Sequence, residues 1–518
     1  MKKYARIIAL LLAVITVLAM AVSCAEGSGE DDTSAQAVNT EGTPEETTAS
    51  IYDADGYLLD NLPDNLNYNG ETVKILYWSD CEREEFEITE DELSGNIVND
   101  AIFKRNANTE ERLGVKFEWY STKGNNSNIQ NFTNYVTNLY SSGGDDLVDL
   151  IGTYSRSAAT CSTAGLLYDI NKISNSYIDF DMPWWPKTCY DTCTIGNSLY
   201  FCSGDISTNV LHFMYCIYYN MDMLKDYAEL EDPIKLVDDK KWTIDKLIEM
   251  TASIYVDSDN SGTCNYEDTY GFCSIYYGLD AFYTGSGLRL VDDDADNLLV
   301  ISEDYTSQKA VDLVDKLGTW LTSDTCFIDG GNKSMDSHSN YYPFVQGKCL
   351  FCQNRVYLAD SQSSSKLNEV EWNYGILPTP LYDENQDDYM TVVGNPFSLW
   401  CVMAGIDSHA AERATAVMEC MASEGYRTTT PALFETNMKY RYTVGADNDG
   451  VRMFDIVHDG IDFDLGRIYS YPLNYMSESP SKAAATAGSW ATQSKSLVKV
   501  LKSNIKTKVV EPLRKLEE

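Results

Sequence analysis

Histidine is nearly missing from this chain. Four residues, His212, His338, His409 and His458, serve a sequence of 518. None falls in the HExxH spacing of a zinc hydrolase. The GxSxG elbow, the Walker loop and the dinucleotide fingerprint are absent too. Positive charge is short as well: 39 Lys and Arg stand against 79 Asp and Glu, a formal net charge of -40. That surplus repels polyanions and argues against nucleic acid as a partner. The cysteines show no zinc spacing, and no internal repeat is visible. The one long apolar run, residues 7–20, is too short to span a bilayer well.

Enough apolar material is present for a globular body, 44% hydrophobic and 12% aromatic, and the length favours two domains. The N-terminus reads as an export signal. Lys2, Lys3 and Arg6 precede the apolar run, which ends in Ala21-Val22-Ser23-Cys24. This resembles a bacterial lipobox, although Leu is more usual at the place of Ala21. It implies cleavage of residues 1–23, lipidation of Cys24 and a chain anchored on the extracellular face of the cell membrane. Residues 24–65 are acidic and rich in Ser and Thr, and read as a flexible tether.

The body opens with a β-branched and aromatic run at 72–78. A helical stripe follows through Val98, Ala101, Ile102 and Leu113, with Gly114 as its stop. Val115, Phe117 and Trp119 then alternate as a strand. DLVDLIG at 146–152 reads as another buried strand. Leu313, Leu317, Trp320 and Leu321 lie at helical spacing, and Trp242 reads as the buried start of a helix. Strands alternating with helices indicate an α/β fold with a mostly parallel sheet. Cys349 and Cys352, three apart on a strand, face opposite sides and are poorly placed to pair. Cys189 and Cys193 could pair, and most other cysteines read as small buried residues.

Six segments in order carry a family resemblance: DLVDLI at 146–151, GLLYDI at 165–170, CIYYN at 216–220, KWTIDKL at 241–247, FVQGKC at 344–349 and NYGILPTP at 373–380. DMPWW at 181–185 resembles a further segment of a subgroup. Together they are similar to the extracellular solute-binding proteins of family 1, the maltodextrin-binding type. The resemblance implies a two-lobed periplasmic-binding-protein-like fold of class II, with ligand held between lobes joined by a hinge. By that pattern lobe one holds 66–205 and 373–425, and lobe two holds 206–372 and 426–518. It further implies a monomer that captures a carbohydrate, most simply an oligosaccharide. The partners would be ABC permease subunits and, through them, an ATPase.

DSDNSGTCNYED at 257–268 has the ligand spacing of an EF-hand loop. Asp257, Asp259, Ser261, the Thr263 carbonyl, Asn265 and Asp268 take the ligand places, with Gly262 at the turn. Ser261 is a weak ligand, and Asp268 reaches less far than the usual Glu, for which Glu267 is a possible substitute. The alternative is a solvated acidic loop. The YGF that follows strengthens the resemblance, which implies a structural calcium ion.

Sugars need aromatic plates rimmed by hydrogen-bonding groups. In an open α/β sheet these sit beyond the carboxyl ends of strands. Trp78, Ser79, Tyr154, Arg156, Asp205, Tyr283, Ser286, Arg355, Asn395 and Trp400 are the candidates. Trp184 and Trp185 read as core. The basic stretch 495–515, with Leu497, Val498, Leu501 and Ile505 at helical spacing, reads as a lobe helix. Peptides and other polar solutes are alternative ligands. A glycan-binding surface adhesin is an alternative role. A secreted glycan hydrolase is the enzyme-class alternative, because 79 acids make chance carboxylate pairs inevitable.

Overall fold

A βαβ unit starts the body in the computed structural model, which describes residues 51–89, 96–329, 339–360, 363–434 and 449–517. The signal peptide, Cys24, most of the tether and His338 lie outside the described residues. The strand Glu71–Trp78 pairs in parallel with Val115–Thr122 and with Leu150–Tyr154. Between the first two runs the helix Ile97–Leu113. Asn96 caps it by accepting from the Val98 and Asn99 N–H groups, and Gly114 ends it at φ 61°. The fourth strand, Ser398–Val402, comes from far along the chain and adds antiparallel to Leu150–Tyr154. The expected strand at 146–152 begins later. Gly144–Asp146 is a 3-10 turn, and the strand runs from Leu150 to Tyr154, after a first bond from Asp149 N–H to the Lys74 carbonyl.

A second, six-stranded sheet holds Tyr374–Leu377, Tyr215–Asn220, Cys349–Arg355, Thr269–Ile275, Tyr255–Val256 and Cys326–Asp329. Tyr215–Asn220 is buried along its whole length, as a strand covered on both faces must be. The helix Gln308–Leu321 buries Leu313, Leu317, Trp320 and Leu321. Trp242 is buried before the helix Ile244–Thr251, its indole donating to the Pro378 carbonyl at 2.9 Å.

Two boundaries differ from expectation. Tyr374–Leu377 pairs with Tyr215–Asn220, so the return to the first sheet comes after it, not at 373. Residues 52–65 are docked on the body and do not form a free tether. Tyr57 packs edge-on against Tyr426, Leu62 is buried, and Arg112 and Arg427 donate to carbonyls of this stretch.

The chain passes between the sheets along two neighbouring segments. Residues 202–214 lead into the second sheet, and 393–400 lead back. They run side by side, with Gly394 N–H donating to the Phe213 carbonyl at 2.7 Å and Cys202 and Trp400 exchanging both backbone bonds. Gly394 suits this crossing because a Cβ there would lie 2.9 Å from Cδ of Arg355 and 3.4 Å from the Phe213 oxygen. The described cysteines are all free thiols, and all but Cys81 and Cys264 are buried. Among the described residues no helix is long and apolar enough to cross a membrane.

Candidate functional site

Strand ends from both sheets meet beside the two crossing segments, and there they bring charged and phenolic side chains together. Arg156 follows the Leu150–Tyr154 strand. Its guanidinium donates to Asn126 at 2.9 Å and to Glu478 at 3.2 Å, and lies 4.8 Å from the Tyr475 ring centre. Arg467 pairs with Asp280 and donates to the Val393 carbonyl at 3.1 Å and to Asn395 Oδ1 at 3.3 Å. Burial pushes the Asp280 carboxyl up, and Arg467 opposes the shift. Arg355 ends the Cys349–Arg355 strand, lies over the Phe213 ring at 4.7 Å and pairs with Glu82 at 2.9 Å. Glu82 follows the first strand, so this last ion pair joins the two sheets.

Phenols fill the spaces between these pairs. Burial pushes Tyr154 up to about 12, with Arg156 pulling the other way. Tyr215 is raised by burial and by Asp280, with Arg355 and Arg467 opposing. Tyr276 and Tyr277 directly follow the Thr269–Ile275 strand, with ring centres 5.3 Å apart in a T. Tyr277 is 43% exposed. Burial raises its phenol pKa, Arg355 opposes that shift and Glu82 adds to it. The seam therefore gathers three arginines and three carboxylates, with Arg156, Arg467 and Asp280 buried and the surface of Tyr277 accessible.

Of the sequence candidates, Tyr154, Arg156, Arg355 and Asn395 belong to this seam. Ser79 is exposed at the end of its strand. The others are placed elsewhere. Trp78 is buried, donates from Nε1 to Ser398 Oγ at 2.8 Å and packs on Tyr154. Trp400 is fully buried against Phe86. Tyr283 is buried in the helix Asp280–Gly285 and Ser286 is buried at its C-terminal cap, where Ser286 Oγ donates back to the Phe282 carbonyl at 2.7 Å. Asp205 is buried beside His458, 3.6 Å from Nε2. Burial lowers the pKa of that imidazole, but Asp205 and Asp459 outweigh it and hold the value near 10. Glu82, Asn126, Tyr215, Tyr276, Tyr277, Asp280, Arg467, Tyr475 and Glu478 were missed. Tyr276 and Tyr277 satisfied the strand-end rule. Arg467 and Glu478 come from a C-terminal stretch with no local signal.

The acidic loop folds into a ring. Carboxylate oxygens of Asp257, Asp259 and Asp268 lie within 4.8 Å of one another. Asp257 accepts from the Ser261 and Gly262 N–H groups, and Asp259 accepts from Ser261 N–H. Gly262 sits at φ +71°, the left-handed region the turn requires. Asp268 is buried and accepts from the N–H groups of Ser258 and Asn265 and from the Tyr255 hydroxyl. Glu267 points to Lys348, 3.2 Å away, and so is not the substitute twelfth ligand.

No protein-family profile matches the chain, and no curated protein matches it. Solved structures do. A cyclo/maltodextrin-binding protein complexed with maltotetraose superposes with TM-score 0.52 at 14% identity, covering 85% of this chain and 99% of that one. A family 1 extracellular solute-binding protein from Bifidobacterium longum subsp. infantis gives 0.51 at 12%, covering 85% and 100%. An ABC transporter solute-binding protein from Agrobacterium radiobacter K84, in complex with ribitol, gives 0.50 at 13%, covering 84% and 99%. At such identities the likeness is one of architecture, and the chain has the two-lobed α/β fold of the extracellular solute-binding proteins.

Proposed function

We propose that this protein is the substrate-binding subunit of an ABC importer, that it captures a carbohydrate in the seam between its sheets, and that lipid on Cys24 tethers it. The observation that carries the reading is the seam itself, where Arg156 and Arg355, at strand ends of the two sheets, and Arg467, from a C-terminal helix, face their carboxylates. Paired charges of this kind offer many fixed donors and acceptors with little net charge, which suits a neutral polyhydroxy ligand. Tyr276 and Tyr277 supply the apolar surface that a sugar ring stacks on. Each carboxylate is held by an arginine. That arrangement serves to hold hydroxyls. On this reading the protein binds its ligand and releases it unchanged. Titratable contacts from both lobes let ligand capture draw the lobes together, a shape change a permease can read.

A thermal-shift screen against an oligosaccharide panel tests this. A ligand at a hundredfold its Kd adds about 2.7 kcal/mol. A stabilising sugar that the protein leaves chemically unchanged is the expected result. No response to any sugar, or release of cleaved product, overturns the reading.

We also propose that the 257–268 loop holds a calcium ion through Asp257, Asp259, the Ser261 hydroxyl, the Thr263 carbonyl, Asn265 and Asp268. The donor set is all oxygen, as calcium prefers, with three converging carboxylates. With a neutral Ser261 the affinity belongs in the weak extracellular range, Kd on the order of 10⁻⁴ M. Calcium at millimolar concentration should raise the melting temperature of the wild type, and Asp257→Asn with Asp259→Asn should abolish that rise. An equal rise in the double variant would refute the site.

A further inference from the structure

The opposite end of the second sheet carries a hollow that the importer reading does not use. It measures ≈ 540 Å³, within the range of about 300–1,000 Å³ that small-ligand pockets span. Asp222, Asp226, Tyr227, Thr269, Gly347 and Trp372 line it. Asn220 and Thr269 are the far ends of strands whose other ends, Tyr215 and Ile275, reach the seam. The two places are therefore about 17 Å apart along the strands.

Trp372 is half-buried and braced edge-to-face, 5.1 Å from Phe344 and 5.7 Å from Tyr374 between ring centres. Its indole is positioned before any ligand arrives, so little side-chain entropy remains to be lost. Gly347, at φ +71°, leaves room beside it; a Cβ there would sit 3.5 Å from Nε1. Tyr227 adds a second ring. Asp222 is already engaged, with Lys225 Nζ at 2.7 Å and the Asn373 N–H at 2.9 Å. Asp226 is exposed and makes no ion pair among the described residues. One remaining carboxylate and a threonine hydroxyl beside two aromatic rings match a CH face with a hydroxyl rim. A multiply charged cation would call for more negative charge than this.

We infer that this hollow is a second saccharide site, centred on Trp372 and Asp226 and independent of the seam. In a chain held at the cell surface it would engage a long polysaccharide while the seam takes a short fragment.

Affinity electrophoresis of the full-length protein tests the proposal, in native gels containing amylopectin, arabinoxylan, galactomannan or mixed-linkage β-glucan. One polysaccharide should retard the wild type and Arg156→Ala alike. Trp372→Ala and Asp226→Ala should each weaken that retardation at least tenfold. Asp226 is exposed, so its variant reports on binding even where Trp372→Ala folds poorly. The proposal is overturned if no polysaccharide retards the wild type, or if both hollow variants run as the wild type does. Loss of retardation in Arg156→Ala overturns it too, by moving the binding to the seam. A seam that fails the oligosaccharide screen leaves this result untouched, so the two readings fail separately.

Discussion

Glu419 holds two tryptophans at once. The Trp184 and Trp185 indoles each donate to it at 2.9 Å, and the Asp179 N–H donates at 3.1 Å. Glu419→Ala leaves two buried indole N–H groups without an acceptor, and should cost about 3 kcal/mol in urea unfolding. Burial pushes the Glu419 carboxyl up to about 7 against the pull of those donors. A free glutamate titrates near ~4.3, so folding takes up a proton between the two values. The stability this group contributes is full below pH ~4.3 and is lost as pH rises through about 7. Glu419→Gln should flatten that part of the stability profile; an unchanged slope would show that another group sets it. The same residues show what was legible. The burial of Trp184 and Trp185 followed from their type. Their common partner, 234 or more positions away, left no trace in the local sequence. Trp78 and Trp400 are buried, and the sequence leaves this open because an aromatic residue in or at the end of a strand suits a core and a sugar site equally well.

At the scale of elements, the stretch after the first strand does unexpected work. Glu85 is fully buried and accepts from Ser207 Oγ at 2.8 Å, Thr208 Oγ1 at 3.3 Å and the Asn209 N–H at 2.9 Å, all on the outgoing crossing. It also accepts from Ser398 Oγ on the return crossing. One carboxylate thus ties both crossings to the first sheet. Glu85→Ala should lower unfolding free energy by about 3–5 kcal/mol, because several buried donors on the two crossings lose their acceptor. The urea slope should be unchanged; a loss under 1 kcal/mol would mean that water replaces the carboxylate. Glu82, three residues earlier, makes the contrast. Its pair with Arg355 is 41% exposed on the glutamate side, and exposed pairs contribute about 0–1 kcal/mol. Glu82→Ala should leave unfolding unchanged but favour a wider separation of the lobes, seen as a larger radius of gyration without ligand. Equal radii would show that this pair does not bridge the lobes in solution. Periodicity announced the helix Ile97–Leu113, with its cap and stop, because those signals are local. At the start of the Leu150 strand the Asp149 backbone already donates to the Lys74 carbonyl at 2.8 Å and accepts from the Met403 N–H at 3.0 Å, while its carboxylate accepts from the Lys74 N–H and from Arg413.

Across the whole molecule, alternation of strands and helices made the α/β class readable, and ordered segments made the two-lobed fold readable. The point of return between sheets was not. Tyr374–Leu377 is buried throughout, as a strand of either sheet would be, and only its partner assigns it. The seam was half legible for the same reason. Arg156, Arg355 and Asn395 end strands or follow them, while Arg467 and Glu478 arrive from the C-terminal part of the chain. The central claim is that these arginines, gathered from both sheets and from the C-terminal part of the chain, hold a sugar. The most direct measurement is calorimetric titration of the sugar found by screening into the wild type and into Arg156→Met. The wild type should bind it stoichiometrically, and Arg156→Met should bind it at least tenfold more weakly, a loss of about 1.4 kcal/mol or more. Equal affinity in the two proteins would contradict the account and place the ligand elsewhere.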